Sequence, residues 1–92
     1  MEIIWTPEAE KDRLAVFEYI AADNPSAAIT LDDRLVEVVS KLIDFPTMGS
    51  QGLISGTREL ILEKHFRVIY ELNGTTVWIL ALVHTSRQWP PL

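Results

Sequence analysis

The stretch Gly56–Trp89, GTRELILEKHFRVIYELNGTTVWILALVHTSRQW, decides the fold. It reads as three consecutive strands followed by a short polar tail. Phe66–Leu72 and Thr75–His84 are rich in Val, Ile, Tyr and Trp, which suit a pleated, largely buried surface. Asn73-Gly74 joins them and predicts a type I′ turn, which needs positive φ at both central residues. On that reading Asn73→Val destabilises the hairpin, because a β-branched residue resists positive φ. Both parities of Val77–Val83 are apolar, so this strand is expected to be buried on both faces. Helices would cover one face, and the Pro-rich end of the chain or another chain the other.

Upstream of the strands the pattern changes period. Glu2–Trp5 is a short apolar run, expected to form a first strand. Thr6 then offers a hydroxyl N-cap, Pro7 fits the first helical position, and Glu8 and Glu10 complement the positive end of a helix dipole. Ala9, Leu14, Val16, Phe17, Ile20 and Ala21 recur at helical spacing, so a helix is expected to run to about Asp23. Asn24-Pro25 repeats the start device. A second stripe of Ala28, Leu31, Leu35, Val38, Val39 and Leu42 continues to Phe45, where Pro46 stops it. So short a link predicts an antiparallel helical hairpin with one shared apolar side. Asp12, Glu18, Asp32, Asp33 and Glu37 read as its solvated face. Thr47–Ser55, rich in Gly and Ser, reads as the loop to the sheet. The resulting order, β-α-α-β-β-β, points to an α+β fold, a helical hairpin packed on a small, mainly antiparallel sheet.

Composition narrows the function classes. With 92 residues, one domain spanning 1–92 is expected, and there is no cysteine for a disulfide or a thiolate metal site. The N-terminus lacks a basic region followed by a long apolar one, which argues against a signal peptide. The longest apolar run is far short of the roughly 20 residues that span a bilayer, so no membrane partner and a cytoplasmic location are expected. The net charge of -5 is uneven: residues 1–46 carry ten acidic and four basic side chains, residues 47–92 three and four. Bulk acidity disfavours non-specific nucleic-acid binding, while the strand half retains a possible anion patch.

The motifs for familiar chemistry are missing. His65 and His84, without cysteine or clustered carboxylates, make a metal site improbable, and no cofactor is expected. Ser86 lies in no nucleophile elbow, and Gly49 and Gly52 lack the Lys-Ser or Lys-Thr of a phosphate loop. More informative are Arg58, His65, Arg67, His84 and Arg87, all on or beside the strands. By alternation Arg67 points with Ile69 and Glu71, away from Phe66, Val68 and Tyr70. In an otherwise apolar strand it needs a partner: Glu71, Glu59 or a bound phosphate.

The motifs GTREL, FRVIYEL and VWILALVHTSRQWP, together with a helical hairpin ending in DFPTMG, resemble the RelE/ParE superfamily of small bacterial toxins. The likeness covers nearly the whole chain in length, element order and spacing. It implies a toxin of a type II toxin–antitoxin pair, held inactive by a cognate antitoxin that wraps it and covers its apolar grooves. DNA would be contacted only through that complex. RelE-like members cut messenger RNA in the ribosome, where a base activates a 2′-hydroxyl and arginines stabilise the phosphate charge. Arg67 matches one such arginine and Arg87 plausibly another, with His84 or His65 as base. The lysine pair of that branch is absent, Arg58 and Glu59 standing in its place, and Trp89 lies near the position of its tail tyrosine. ParE-like members instead poison DNA gyrase, and the H-x-x-R-x-W-P ending, the G-x-R-E strand and the acidic pI look closer to that branch. There Arg58, Arg67, His84, Arg87 and Trp89 would contact target or antitoxin. A non-toxic binding module is a third possibility. Arg67→Ala is expected to spare folding and weaken toxicity.

Overall fold

A computed structural model describes residues 1–86 and Trp89 of the chain. Strand β1 (Glu2–Trp5) leads into helix α1 (Pro7–Ala21), and α2 (Pro25–Ser40) follows after a three-residue link. Both helices start as their sequences dictate: the Thr6 hydroxyl accepts the Ala9 N–H and the Asn24 side chain accepts the Ala27 N–H, each followed by proline. The second helical stretch does not run to Phe45 as a uniform α-helix. It tightens into a 3-10 turn at Lys41–Ile43, after the Ser40 hydroxyl has bonded back to the Glu37 carbonyl at 2.7 Å.

The loop after α2 contributes a short strand, β2 (Ser50–Gln51), that the sequence pattern did not reveal. β3 (Thr57–Leu62), β4 (Phe66–Asn73) and β5 (Thr76–His84) complete a five-stranded sheet in the order β1-β5-β4-β3-β2. All neighbours are antiparallel except β1 and β5. That parallel pairing stops at Trp5 opposite Ile79, because Pro7 starts the helix two residues later. The sequence-derived fold class therefore holds, with one strand added.

The hairpin turn departs from expectation. Asn73 pairs with Thr76, so the central residues are Gly74 and Thr75, and of Asn73, Gly74 and Thr75 only Gly74 has positive φ, at 62°. Positive φ at the first central residue alone is the II′ pattern, so Gly74, not Asn73, carries the conformational demand. Asn73→Val thus loses its stated reason to destabilise the turn. Positive φ outside glycine falls instead on Glu63 and Lys64, in the β3–β4 connection.

The core lies between the helices and one face of the sheet. Leu35, Val38, Val39 and Leu42 of the second helical stretch meet Leu62, Val68, Tyr70, Val77, Ile79 and Leu82 of the sheet. Strict alternation fails in β5. Ile69 pairs with Ala81 while Tyr70 pairs with Ile79, so Leu80 is an extra residue. This bulge lets Val77, Ile79 and Leu82 face one core despite their uneven spacing. It also explains why both parities of that strand are apolar. The proposed second cover, the Pro-rich end, lies outside the described residues.

The hairpin shares less than its sequence suggested. Within α1 only Ala9 is fully buried, and Leu14 is 58% exposed. Two of the presumed solvated acids have structural partners: Asp32 takes a bidentate bond from Arg13 at 2.7 and 2.8 Å, and Asp12 accepts the Leu82 N–H at 3.0 Å.

Candidate functional site

The cationic residues singled out by sequence do not converge. Arg58 lies opposite Tyr70 and donates through Nη1 to the carbonyls of Thr47 and Gly49, at 3.2 and 2.8 Å. It therefore staples the loop after α2. Tyr70 holds the same loop from beneath, accepting the Gly49 N–H at 3.0 Å and donating to the Pro46 carbonyl at 2.8 Å. Burial pushes its phenol up from the ordinary value, partly opposed by the Gly49 N–H and the Arg58 charge. Gly49 is required here because a Cβ would stand 2.8 Å from the Tyr70 ring and 2.9 Å from the Glu59 carbonyl.

Arg67 takes up the ion-pair option, with Nη1 at 2.8 Å from Oε1 of Glu59. The two side chains are only 15% and 12% exposed, so little of either charge faces solvent. This changes the meaning of Arg67→Ala. Removing the guanidinium strands a mostly buried carboxylate, so a loss of stability is expected where the sequence alone suggested none.

His84 pairs with Phe66, whereas Arg67 pairs with Val83, so the His84 and Arg67 side chains leave opposite faces of the sheet. What His84 does meet is His65, its ring stacked at a centroid distance of 6.2 Å, and the edge of Phe66 at 5.5 Å. Ser86 closes the cluster: its N–H donates to Nδ1 of His84 at 3.1 Å and its Oγ lies 2.6 Å from the same nitrogen. Accepting that N–H places the proton of a neutral His84 ring on Nε2. Arg87 lies outside the described residues. Trp89 lines a groove that also contains His84.

That groove is the feature sequence reasoning missed. It has a volume of about 910 Å³ and runs between α1 and the far half of β5. Its walls are mainly apolar, including Val16, Tyr19, Phe66 and Leu80, and Glu8 and Asp12 supply acidity on the helix side. Tyr19 stands 84% exposed on its rim. A signal was available: α1 carries Leu14, Ala15, Val16, Phe17, Tyr19 and Ile20, more apolar surface than one buried stripe uses. Among the described residues no group of three or more His, Cys, Asp or Glu side chains could hold a metal ion.

The helix pair is braced separately. Arg13 lies over the Trp5 ring, 5.2 Å from its centroid, while bonded to Asp32. The hydrogen bond from Arg13 holds the Asp32 carboxyl below its ordinary range, against the opposing effect of burial, and the same bond raises Arg13.

Comparison with known proteins agrees with this architecture. A sequence model described as the ParE toxin of the type II toxin–antitoxin system parDE matches residues 3–89. The putative toxin Y4kP of Sinorhizobium fredii is 34% identical over 88 residues, covering 96% of this chain and 92% of that protein. Toxin RelE2 of Caulobacter vibrioides is 27% identical over 86 residues, covering 94% and 97%. Among solved structures, the chromosomal ParDE toxin–antitoxin system from P. aeruginosa superposes with a TM-score of 0.81 at 25% identity, over 91% of this chain and 95% of that one. With a match spanning all five strands and both helices, this chain belongs to the ParE toxin family, within the RelE/ParE superfamily of type II toxin–antitoxin systems.

Proposed function

We propose that this toxin stops bacterial growth by binding a protein target, DNA gyrase, and that a cognate antitoxin holds it inactive until released. The observation that carries the reading is the separation of Arg67 from His84 on opposite faces of the sheet, with Arg67 bonded to Glu59. A ribonuclease needs its general base and its phosphate-stabilising cation within reach of one scissile bond. A protein-binding toxin has no such requirement. The acidic chain, with a net charge of -5, also suits a protein target better than a ribosome rich in RNA. The similarity to a ParDE system supports the same branch. Arg58, Arg67, His84, Arg87 and Trp89 then contribute to target or antitoxin contacts, or to the platform presenting them.

The second reading is ribosome-dependent cleavage of messenger RNA. One observation favours it: His65 and His84 stand exposed side by side, with an Nδ1 acceptor beside Ser86. Induced expression separates the two. Gyrase poisoning yields double-strand DNA breaks and an SOS response before protein synthesis falls. Early loss of translation with codon-positioned mRNA cuts would replace the gyrase reading by the ribonuclease one. Unimpaired growth at matched expression would leave only the non-toxic module.

A further inference from the structure

We infer that the groove between α1 and β5 is the seat of an amphipathic helix of the antitoxin, one with apolar anchors at helical spacing and Lys or Arg at the end nearest Glu8 and Asp12. The inference rests on the antitoxin reading above and adds where and in what form that partner binds.

The groove excludes other occupants by its chemistry. Its polar lining is mainly an acidic rim, which repels nucleic-acid phosphate. It lacks the convergent set of buried donors and acceptors that orients a small ligand, although its volume of about 910 Å³ would hold one. A second copy of a chain of net charge -5 brings its own acidity to an acidic rim.

The strand edge then decides between an extended and a helical segment. Beyond Ile79, β5 has no β1 partner, which at first suggests a site for strand addition. Side chains from the start of the helical layer already occupy that edge. The Thr6 hydroxyl donates to the carbonyls of Ile79 and Leu80, at 2.9 and 3.3 Å. The Asp12 carboxylate accepts the Leu82 N–H at 3.0 Å. An added strand would have to expel a carboxylate from a bond it already makes. A helix needs nothing from that edge, because it is held by apolar side chains pushed into a groove.

The dimensions fit. The groove wall of α1 runs from Glu8 to Tyr19, which at about 1.5 Å per residue is about 16 Å, roughly three turns. A partner helix of similar length presents anchors at i, i+3 or i+4, and i+7. The negative side chains Glu8 and Asp12 sit at one end of this wall and Ala15, Val16 and Tyr19 at the other. The partner is therefore polarised, basic at one end and apolar at the other.

The test uses the full-length toxin and the antitoxin encoded beside its gene, with fluorescent peptides of about 15 residues tiling that antitoxin, long enough for three turns. One tile should bind, carry basic and apolar residues in this arrangement, and gain helical circular dichroism on binding. Ala15→Arg, at an exposed position on the wall, should weaken binding about 100-fold, and Tyr19→Ala about 10-fold. Glu8→Lys should weaken it about 10-fold at low salt and much less at high salt. Leu53→Arg, 74% exposed on the β2–β3 loop, should change nothing. If intact antitoxin binds wild-type toxin but Ala15→Arg retains full affinity, or the bound tile shows strand dichroism, the inference falls and the toxin reading stands. If intact antitoxin neither binds nor neutralises wild-type toxin, the antitoxin reading falls and takes this inference with it.

Discussion

The two helices carry similar apolar stripes, yet they meet opposite fates. Along α2 and its 3-10 extension, Ala28, Leu35, Val38, Val39 and Leu42 are buried against the sheet or its neighbouring helix. Along α1 only Ala9 reaches that state, and Leu14 and Tyr19 project into solvent. The difference teaches that the hairpin is seated off-centre, closing the core on the α2 side and leaving a groove on the α1 side. One stripe supplies stability. The other is surplus to stability and free to serve recognition.

The sharpest way to break this comparison is a pair of truncations. Leu42→Ala, at a fully buried position, is expected to cost about 2–5 kcal/mol, whereas Leu14→Ala should stay within about 0.5 kcal/mol. Urea unfolding measures both, and similar costs would mean that α1 belongs to the closed core after all. Next in size is Tyr70→Phe on the closed side. It removes the hydroxyl that bonds Gly49 and Pro46, and should cost about 1–3 kcal/mol and speed amide exchange at Gly49. An unchanged exchange rate would show that Arg58 alone holds the loop. On the open side, Asp12→Ala should cost about 1 kcal/mol, because only the Leu82 N–H loses a partner. A larger loss would make the groove wall a structural element rather than a surplus one.

The smallest expected effect concerns the brace between the two helices. Asp32 has a lowered carboxyl pKa in the folded protein, so its ion pair stabilises above the ordinary value of 3.8. That contribution fades as pH falls from there through the folded-state value. Both partners are partly exposed, so the amount is expected to be below about 1 kcal/mol. The wild-type melting temperature should approach that of Asp32→Asn as the medium is acidified and exceed it near neutrality. A gap that persists unchanged at low pH would sever Asp32 from this titration.

Much of the fold was legible because its signals are local. Thr6-Pro7 and Asn24-Pro25 announce both helices, and the β-branched and aromatic runs announce the long strands. What stayed illegible depended on partners distant in sequence. The β2 strand is two residues long and exists only because Ser50 and Gln51 lie beside Glu59 and Arg58. The bulge at Leu80 leaves no mark in an already uniform apolar run. The turn at Gly74 was displaced by one residue because register is set by the pairing of whole strands. For the site, Arg67 was rightly read as needing a partner, and Glu59 was one of three options. That His84 faces away from it required the register, and the groove required both α1 and β5.

By itself, then, the chain's order of residues determined the element types, the capping of both helices, the two-faced apolar character of β5 and membership of a toxin family. Those follow from backbone preferences and side-chain periodicity within a few residues. Tertiary structure alone decided that β1 runs parallel to β5 and stops at Ile79, that Asp12 caps the exposed edge, and that α1 leaves its outer stripe uncovered. The physical reason is reach: a hydrogen bond spanning 70 residues of sequence, from Leu82 to Asp12, belongs to no local pattern, and it is such contacts that shape the groove.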